Sequence, residues 1–201
     1  MALAEEALLC AFIAGHKTEQ ALSALAELSR HDDAAMAAFL DVAVPVVHAV
    51  CSMLADRPSR SVLWLGTSLL TRVLTKADVD AIESLRQEMV QCHVVTSIVT
   101  HAVDIELKMH ALALLVRLEL TESQDRVAQF QAADGPAWLF DLFLGLASAV
   151  ISAIAGHRWP SSNPVPVHFI MTLATLRILV SCTAPPVALE PIHVLFLRDL
   201  S

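Results

Sequence analysis

A helical segment that repeats along the chain constrains the fold more than any other feature of the sequence. Residues 21–29 read ALSALAELS, and similar segments follow as TSLLTRVLT, LALLVRLEL and LATLRILVS. Apolar residues recur in these segments at intervals of three and four, which is the spacing of one face of an α-helix. Only five glycines occur in the 201 residues, so few positions favour a break. The sequence therefore predicts an all-α protein built from repeated helical units.

A second type of apolar helix follows each repeated segment, after a polar break and a short linking segment. These helices are predicted to open near Val44, Cys92, Gly135 and Glu190. Three of them carry proline near the start, where a missing backbone N–H costs little. The clearest polar breaks are SRHDD at residues 29–33, DRPSR at residues 56–60 and TESQD at residues 121–125. The pattern predicts about four helical hairpins in a single domain over residues 1–201, with an irregular, proline-rich insertion at residues 157–166.

The stretch from Asp104 to Leu144 resembles an armadillo repeat, with an alanine- and leucine-rich second helix, a polar turn and a third helix that opens at a glycine. Residues 17–201 resemble the wider class of armadillo/HEAT helical repeats. Only Gly135 matches the family's glycine before the third helix. The resemblance implies a right-handed α-solenoid whose third helices line a concave groove. It also implies a non-catalytic interaction module or scaffold subunit that binds a peptide, a helix or a partner protein within a larger complex.

Polar residues at matching places in the third helices are the candidate binding residues. His48, Thr96 and Asp141 align with one another, and a packed helix must keep one such stripe in water. The resemblance implies that this stripe faces the groove. The candidate partner-binding residues, taken from the stripe and the adjacent turns, are His48, Ser52, His93, Thr96, Thr100, Trp138 and Asp141.

Trp138 is the first choice among these residues, because aromatic side chains often dominate the binding energy of interfaces. The alternative is that Trp138 shields a repeat junction as a core residue, and that Asp141 is only a solubilising charge. Family members that bind basic nuclear-import signals use ladders of tryptophan and asparagine. Here the single asparagine is Asn163, in the predicted loop, so that kind of partner is not expected.

Several kinds of chemistry are not expected from this sequence. Zinc sites are usually signalled by CxxC or HxxxH spacing, and neither spacing occurs among the nine histidines and four cysteines. No phosphate-binding glycine loop, GxSxG or HExxH motif is found. The net charge is −8 and basic residues are not clustered, which argues against nucleic-acid binding. The sequence therefore predicts no enzymatic activity, metal, cofactor or small-molecule substrate.

The high apolar content raises a membrane-associated helical protein as the alternative. Hydrophobic residues make up 56% of the chain, and its mean hydropathy is +0.61. The longest uncharged apolar run, Leu142 to Gly156, is shorter than the roughly 20 residues of a spanning helix, and extending it to Pro136 includes Asp141. The alternative therefore has residues 136–156 inserted in the bilayer or lying on it. A third hypothesis is a helical bundle with a cavity for a small apolar ligand.

The cysteines and the two ends of the chain bear on location. Cys10, Cys51, Cys92 and Cys182 lack paired spacing, which is typical of reduced thiols. Acidic residues stand near the N-terminus, where a secretory signal would carry positive charge. We expect a cytoplasmic protein, with the nucleus and the cytoskeleton as alternatives.

The last apolar segment, VLFLRDL, has no polar capping helix after it, although the ends of a solenoid need one for solubility. We therefore expect either a longer natural chain or another subunit that covers this end.

Overall fold

The computed structural model describes residues 3–15, 17–31, 33–155, 174–175 and 177–178. No strand occurs among these residues, and the all-α class is confirmed. The predicted insertion at residues 157–166 and most of the fourth predicted hairpin lie outside the described residues. The structure divides the chain into two compact units, residues 1–133 and residues 134–201, and the single domain expected from the sequence stays a prediction.

The helices of the first unit are short and closely spaced along the chain. Within its described residues they are α1 (Leu3–Ile13), α2 (Glu19–His31), α3 (Asp33–Asp41), α4 (Ala43–Ala55), α5 (Arg60–Lys76), α6 (Val79–Gln91), α7 (Val94–His101), α8 (Ile105–Arg117) and α9 (Gln124–Ala132). A 3₁₀ turn, Leu120–Glu122, connects α8 to α9. The second unit begins with α10 (Gly135–Ala155).

Helices three elements apart in the first unit pack against one another. The repeated segments identified in the sequence lie in α2, α5 and α8, and α5 contacts both of the others. The helices predicted to open near Val44 and Cys92 are α4 and α7, which contact each other, and α4 also contacts α1. Two rows of helices, α1–α4–α7 and α2–α5–α8, therefore run through the unit.

The segments expected to be short links are themselves helices. They are α3, α6 and α9, and each packs against at least one helix of the two rows. In α6 the buried apolar residues are Leu85, Met89 and Val90, and in α9 the buried apolar residue is Phe130. This leaves α9 with a weak apolar pattern, whereas Ile82, Leu85 and Met89 of α6 recur at intervals of three and four, so the signal for α6 was present in the sequence.

The N-termini of α2, α5 and α8 are tied together by side-chain hydrogen bonds. Ser59 caps α5 by accepting the backbone N–H of Val62 at 3.2 Å, and its hydroxyl donates to the Glu19 carboxylate at 2.9 Å. At the next junction the Arg60 guanidinium donates to the carboxylate of Asp104 at 3.0 Å and also to that of Glu106. These bonds connect the N-terminal ends of the three repeated helices.

The N-cap of α8 provides a test of how much these junctions contribute. Asp104 accepts the backbone N–H of Leu107 at 2.9 Å. We expect Asp104→Ala to lower the free energy of unfolding by about 1 kcal/mol near neutral pH, because the cap is lost. Urea unfolding measures this difference, and Asp104→Asn is the matched control because an amide oxygen can still cap the helix.

The same cap makes stability depend on pH. The pKa of the Asp104 carboxyl is held below its ordinary value, first by the Leu107 N–H and second by Arg60. A lowered folded-state pKa contributes stability above the unfolded-state pKa of about 3.9, and this contribution is lost as the pH falls through the folded value. The stability difference between wild type and Asp104→Ala should therefore shrink in acid. A difference that persisted unchanged under acidic conditions would contradict this role of Asp104.

Membrane insertion of residues 136–156 was the alternative drawn from composition. Among the described residues, which include α10, no helix combines the length and the apolar character needed to cross a bilayer.

Candidate partner-binding surface

Four of the seven candidate residues lie on two helices that touch, and a fifth lies in the turn before one of them. His48 and Ser52 are on α4, Thr96 and Thr100 are on α7, and His93 is in the turn before α7. Since α4 and α7 contact each other, tertiary packing brings these residues to adjacent elements. These five residues are called the α4–α7 surface below.

The side chains of the α4–α7 surface point away from the apolar interior. His48, Ser52, His93 and Thr100 are exposed, and Thr96 is half-buried. The remaining positions of both helices supply the core, and the residues buried there include Val46, Val47, Val50, Leu54, Val94, Val95, Ile98 and Val99. A stripe of small hydroxyls and imidazoles thus lies over a continuous aliphatic layer.

The turn between α6 and α7 gives His93 an unusual backbone. Its φ angle is +54°, in the left-handed region that glycine favours and histidine occasionally adopts. The His93 N–H donates to the Val90 carbonyl at 2.9 Å, and the His93 carbonyl accepts the N–H of Ser97 at 3.0 Å. His93 therefore makes the sharp turn that leads into α7.

Two contacts hold His48 in place across α4 and the end of α6. Its Nε2 lies 2.8 Å from a carboxylate oxygen of Glu88, and its Nδ1 lies 3.4 Å from Sγ of Cys92. The Glu88 carboxylate accepts a hydrogen bond from the Nε2–H group of His48. The other ring nitrogen, Nδ1, faces the Cys92 sulfur. The sequence reading did not pair these residues. The available signal was spacing, since Glu88 and Cys92 are one helical turn apart.

A second thiol lies behind this cluster. Cys51 is buried one turn after His48 on α4, a helix that packs against α6, and His48 itself contacts Cys92. Donation of the Cys51 proton to Cys92, together with burial, raises the pKa of the Cys51 thiol well above its ordinary value. The same hydrogen bond is the largest cause of the lowered pKa of Cys92, which is about 6.

A further bond ties the α4–α7 surface to the segment before α2. The Lys17 ammonium donates to the Ser52 hydroxyl at 2.8 Å, although the two residues are far apart in sequence. The surface therefore includes a positive charge beside Ser52.

Trp138 and Asp141 belong to the second unit, on α10. Trp138 is only 8% exposed, so little of its side chain can meet a partner, whereas Asp141 is exposed. The burial of Trp138 agrees with the core alternative weighed from the sequence. Its role as a partner contact stays a prediction.

An exposed tryptophan that the sequence reading passed over lies on α5. Trp64 is 41% exposed and its ring lies 5.0 Å from that of His110 on α8, with an angle of 42° between the planes. It lines an open cavity of about 670 Å³ whose other lining residues are Thr18, Glu19, Gln20, Ser23, Ser61 and Leu65. The signal was available, because Leu63, Thr67 and Leu70 form the buried stripe of α5 and leave Trp64 off it.

Among the residues that the structure describes, no group of three or more histidine, cysteine, aspartate or glutamate side chains is arranged to hold a metal ion. Comparison of the chain with protein-family models, with curated proteins and with solved structures finds no match.

Proposed function

We propose that this chain is a non-catalytic protein-interaction module, or a scaffold subunit, that binds a peptide, a helix or a partner protein at the α4–α7 surface. The proposed architecture is a right-handed α-solenoid of the armadillo/HEAT kind. Its proposed location is the cytoplasm.

The observation that carries the proposal is the packing of helices three elements apart. Rows α1–α4–α7 and α2–α5–α8 pair equivalent helices side by side, as stacked three-helix units would. Stacked units bury one another's apolar faces and leave an extended, rigid surface, which lowers the ordering cost of binding. The proposed solenoid would place equivalent helices, and their polar stripes, along one wall.

The composition of the α4–α7 surface supports a binding role. Its side chains are hydroxyls and imidazoles that can both donate and accept hydrogen bonds, as an extended segment or helix requires. The contacts of His48 with Glu88 and of Ser52 with Lys17 already restrict two of these side chains. Less side-chain freedom is then lost when a partner binds.

Site-specific photocrosslinking tests the proposal. A photoreactive amino acid is introduced at Ser52 or at Thr100, and the control position is Val79, which is 87% exposed at the start of α6. We expect the two surface positions to crosslink the same protein in cells and Val79 not to crosslink it. Equal recovery of that protein from Val79, or different proteins from the two surface positions, would count against the α4–α7 surface.

Affinity for the crosslinked partner is the quantitative prediction. Thr100→Arg should weaken binding at least about tenfold, equivalent to about 1.4 kcal/mol, because a long charged side chain obstructs the surface. Val79→Arg introduces the same side chain at an exposed position and should leave the affinity unchanged. Isothermal titration calorimetry with both variants, after circular dichroism has shown equal helicity, makes the comparison.

A further inference from the structure

The cluster of Cys51, His48, Glu88 and Cys92 has the arrangement of a reactive thiol with a second thiol behind it. Cys92 directly follows the last residue of α6 and is half-buried, so part of the residue is accessible to small molecules. His48 contacts that sulfur through Nδ1 and is held by Glu88 through Nε2. Cys51 approaches from the buried side.

We propose that Cys92 is an oxidation site for hydroperoxides, and that Cys51 resolves the oxidised sulfur by forming a disulfide between α4 and the end of α6. The inference rests on the side-chain cluster alone, and it holds whether or not the α4–α7 surface binds a partner.

The surroundings of Cys92 favour its thiolate. Its pKa is lowered to about 6, first by the hydrogen bond from Cys51 and then by the positive charge of His48 and His93, against the opposing effects of burial and of Glu88. A thiolate is the nucleophilic form of cysteine, and at neutral pH this form predominates at Cys92. The raised pKa of Cys51 keeps its proton in place as the donor.

The reaction takes place in two balanced steps. The Cys92 thiolate attacks one oxygen of the hydroperoxide ROOH; a sulfur–oxygen bond forms, the oxygen–oxygen bond breaks, and the leaving RO⁻ takes a proton to become ROH. Cys92 is then a sulfenic acid. The Cys51 sulfur then attacks the Cys92 sulfur; a sulfur–sulfur bond forms, the sulfur–oxygen bond of the sulfenic acid breaks, and the leaving hydroxide takes the Cys51 proton to become water. Overall, two thiols are oxidised to one disulfide, and ROOH is reduced to ROH and water.

Site-resolved oxidation of the purified chain tests the proposal. The protein is treated with stoichiometric hydrogen peroxide, and non-reducing peptide mapping by mass spectrometry identifies each oxidised cysteine. We expect a Cys51–Cys92 disulfide in the wild type and a dimedone-trappable sulfenic acid at Cys92 in Cys51→Ser. Cys10 is exposed on α1 and is the internal control, which should react more slowly. Oxidation of Cys10 at the rate of Cys92, or the absence of a Cys51–Cys92 crosslink, would overturn the proposal.

The pH dependence of alkylation separates a reactive site from simple packing. The rate at which iodoacetamide labels Cys92 should rise with a midpoint near pH 6 in the wild type. His48→Gln removes a positive charge from an exposed position and should move that midpoint upward without changing the melting temperature. A wild-type midpoint at the ordinary thiol value of about 8.5, or a midpoint unaffected by His48→Gln, would show that His48 does not activate the sulfur.

Discussion

Arg126→Ala is expected to lower the free energy of unfolding by about 3 kcal/mol. Arg126 lies on α9 and is only 2% exposed. Its guanidinium donates to the carbonyls of Leu118 and Glu119, at 2.8 and 3.4 Å, and to the carboxylate of Glu83. The alanine variant leaves these acceptors without their donor and opens a cavity.

The physical reason for this cost is the end of α8. The last carbonyls of a helix lack intrahelical partners, and arginine can satisfy them. Arg86, on α6, donates to the Arg117 carbonyl at 3.0 Å and to both oxygens of the Glu119 carboxylate. Together Arg86 and Arg126 attach α6 and α9 to the end of α8, where Glu119 turns the chain with a φ of +49°.

Urea unfolding with an exposed-arginine control measures this effect. Arg30→Ala removes a guanidinium that is 40% exposed and pairs at 3.5 Å with Glu27, which is itself 61% exposed. Exposed pairs of this kind contribute less than about 1 kcal/mol. If Arg126→Ala cost no more than Arg30→Ala, the buried guanidinium would not be what holds the end of α8.

Gly66→Leu is expected to destabilise the chain by about 3 kcal/mol through overpacking. Gly66 lies in the middle of α5, against α4. A Cβ atom there would come within 2.9 Å of Cδ2 of Leu54 and 3.2 Å of Cγ1 of Val50. Both neighbours are fully buried, so their side chains or α5 itself must shift to admit a larger side chain. The gain of about 1 kcal/mol in helix propensity does not offset this cost.

Thr75→Leu is the matched control for Gly66→Leu, because it adds the same side chain at an exposed position of the same helix. We expect its free energy of unfolding to stay within about 0.5 kcal/mol of wild type. Thermal and urea unfolding of both variants test the close approach of α4 and α5. A Gly66→Leu variant as stable as Thr75→Leu would show that α4 and α5 are not closely packed at Gly66.

Helix periodicity alone predicted which polar positions of α4 and α7 face solvent. His48 and Ser52 are spaced by four residues, as are Thr96 and Thr100, and the aliphatic residues between them are buried. The same reasoning applied to α5 would have found Trp64. It could also have found α6, where Ile82, Leu85 and Met89 recur at helical spacing, but not α9, which buries Phe130 and the guanidinium of Arg126. The contacts of α9 with other helices supply burial that its local pattern does not signal.

The amino-acid sequence by itself determined the all-α class, the repeated helices and the polar positions along them, because these depend on the local spacing of apolar residues. Only the tertiary structure decided that His48 meets Glu88 and Cys92, that Arg126 reaches the end of α8, and that Gly66 lies against α4. The local spacing of apolar residues does not predict which residues distant in the chain will contact one another. Their meeting depends on how whole helices pack, and that packing is fixed by side-chain shape and by the need to satisfy buried polar groups.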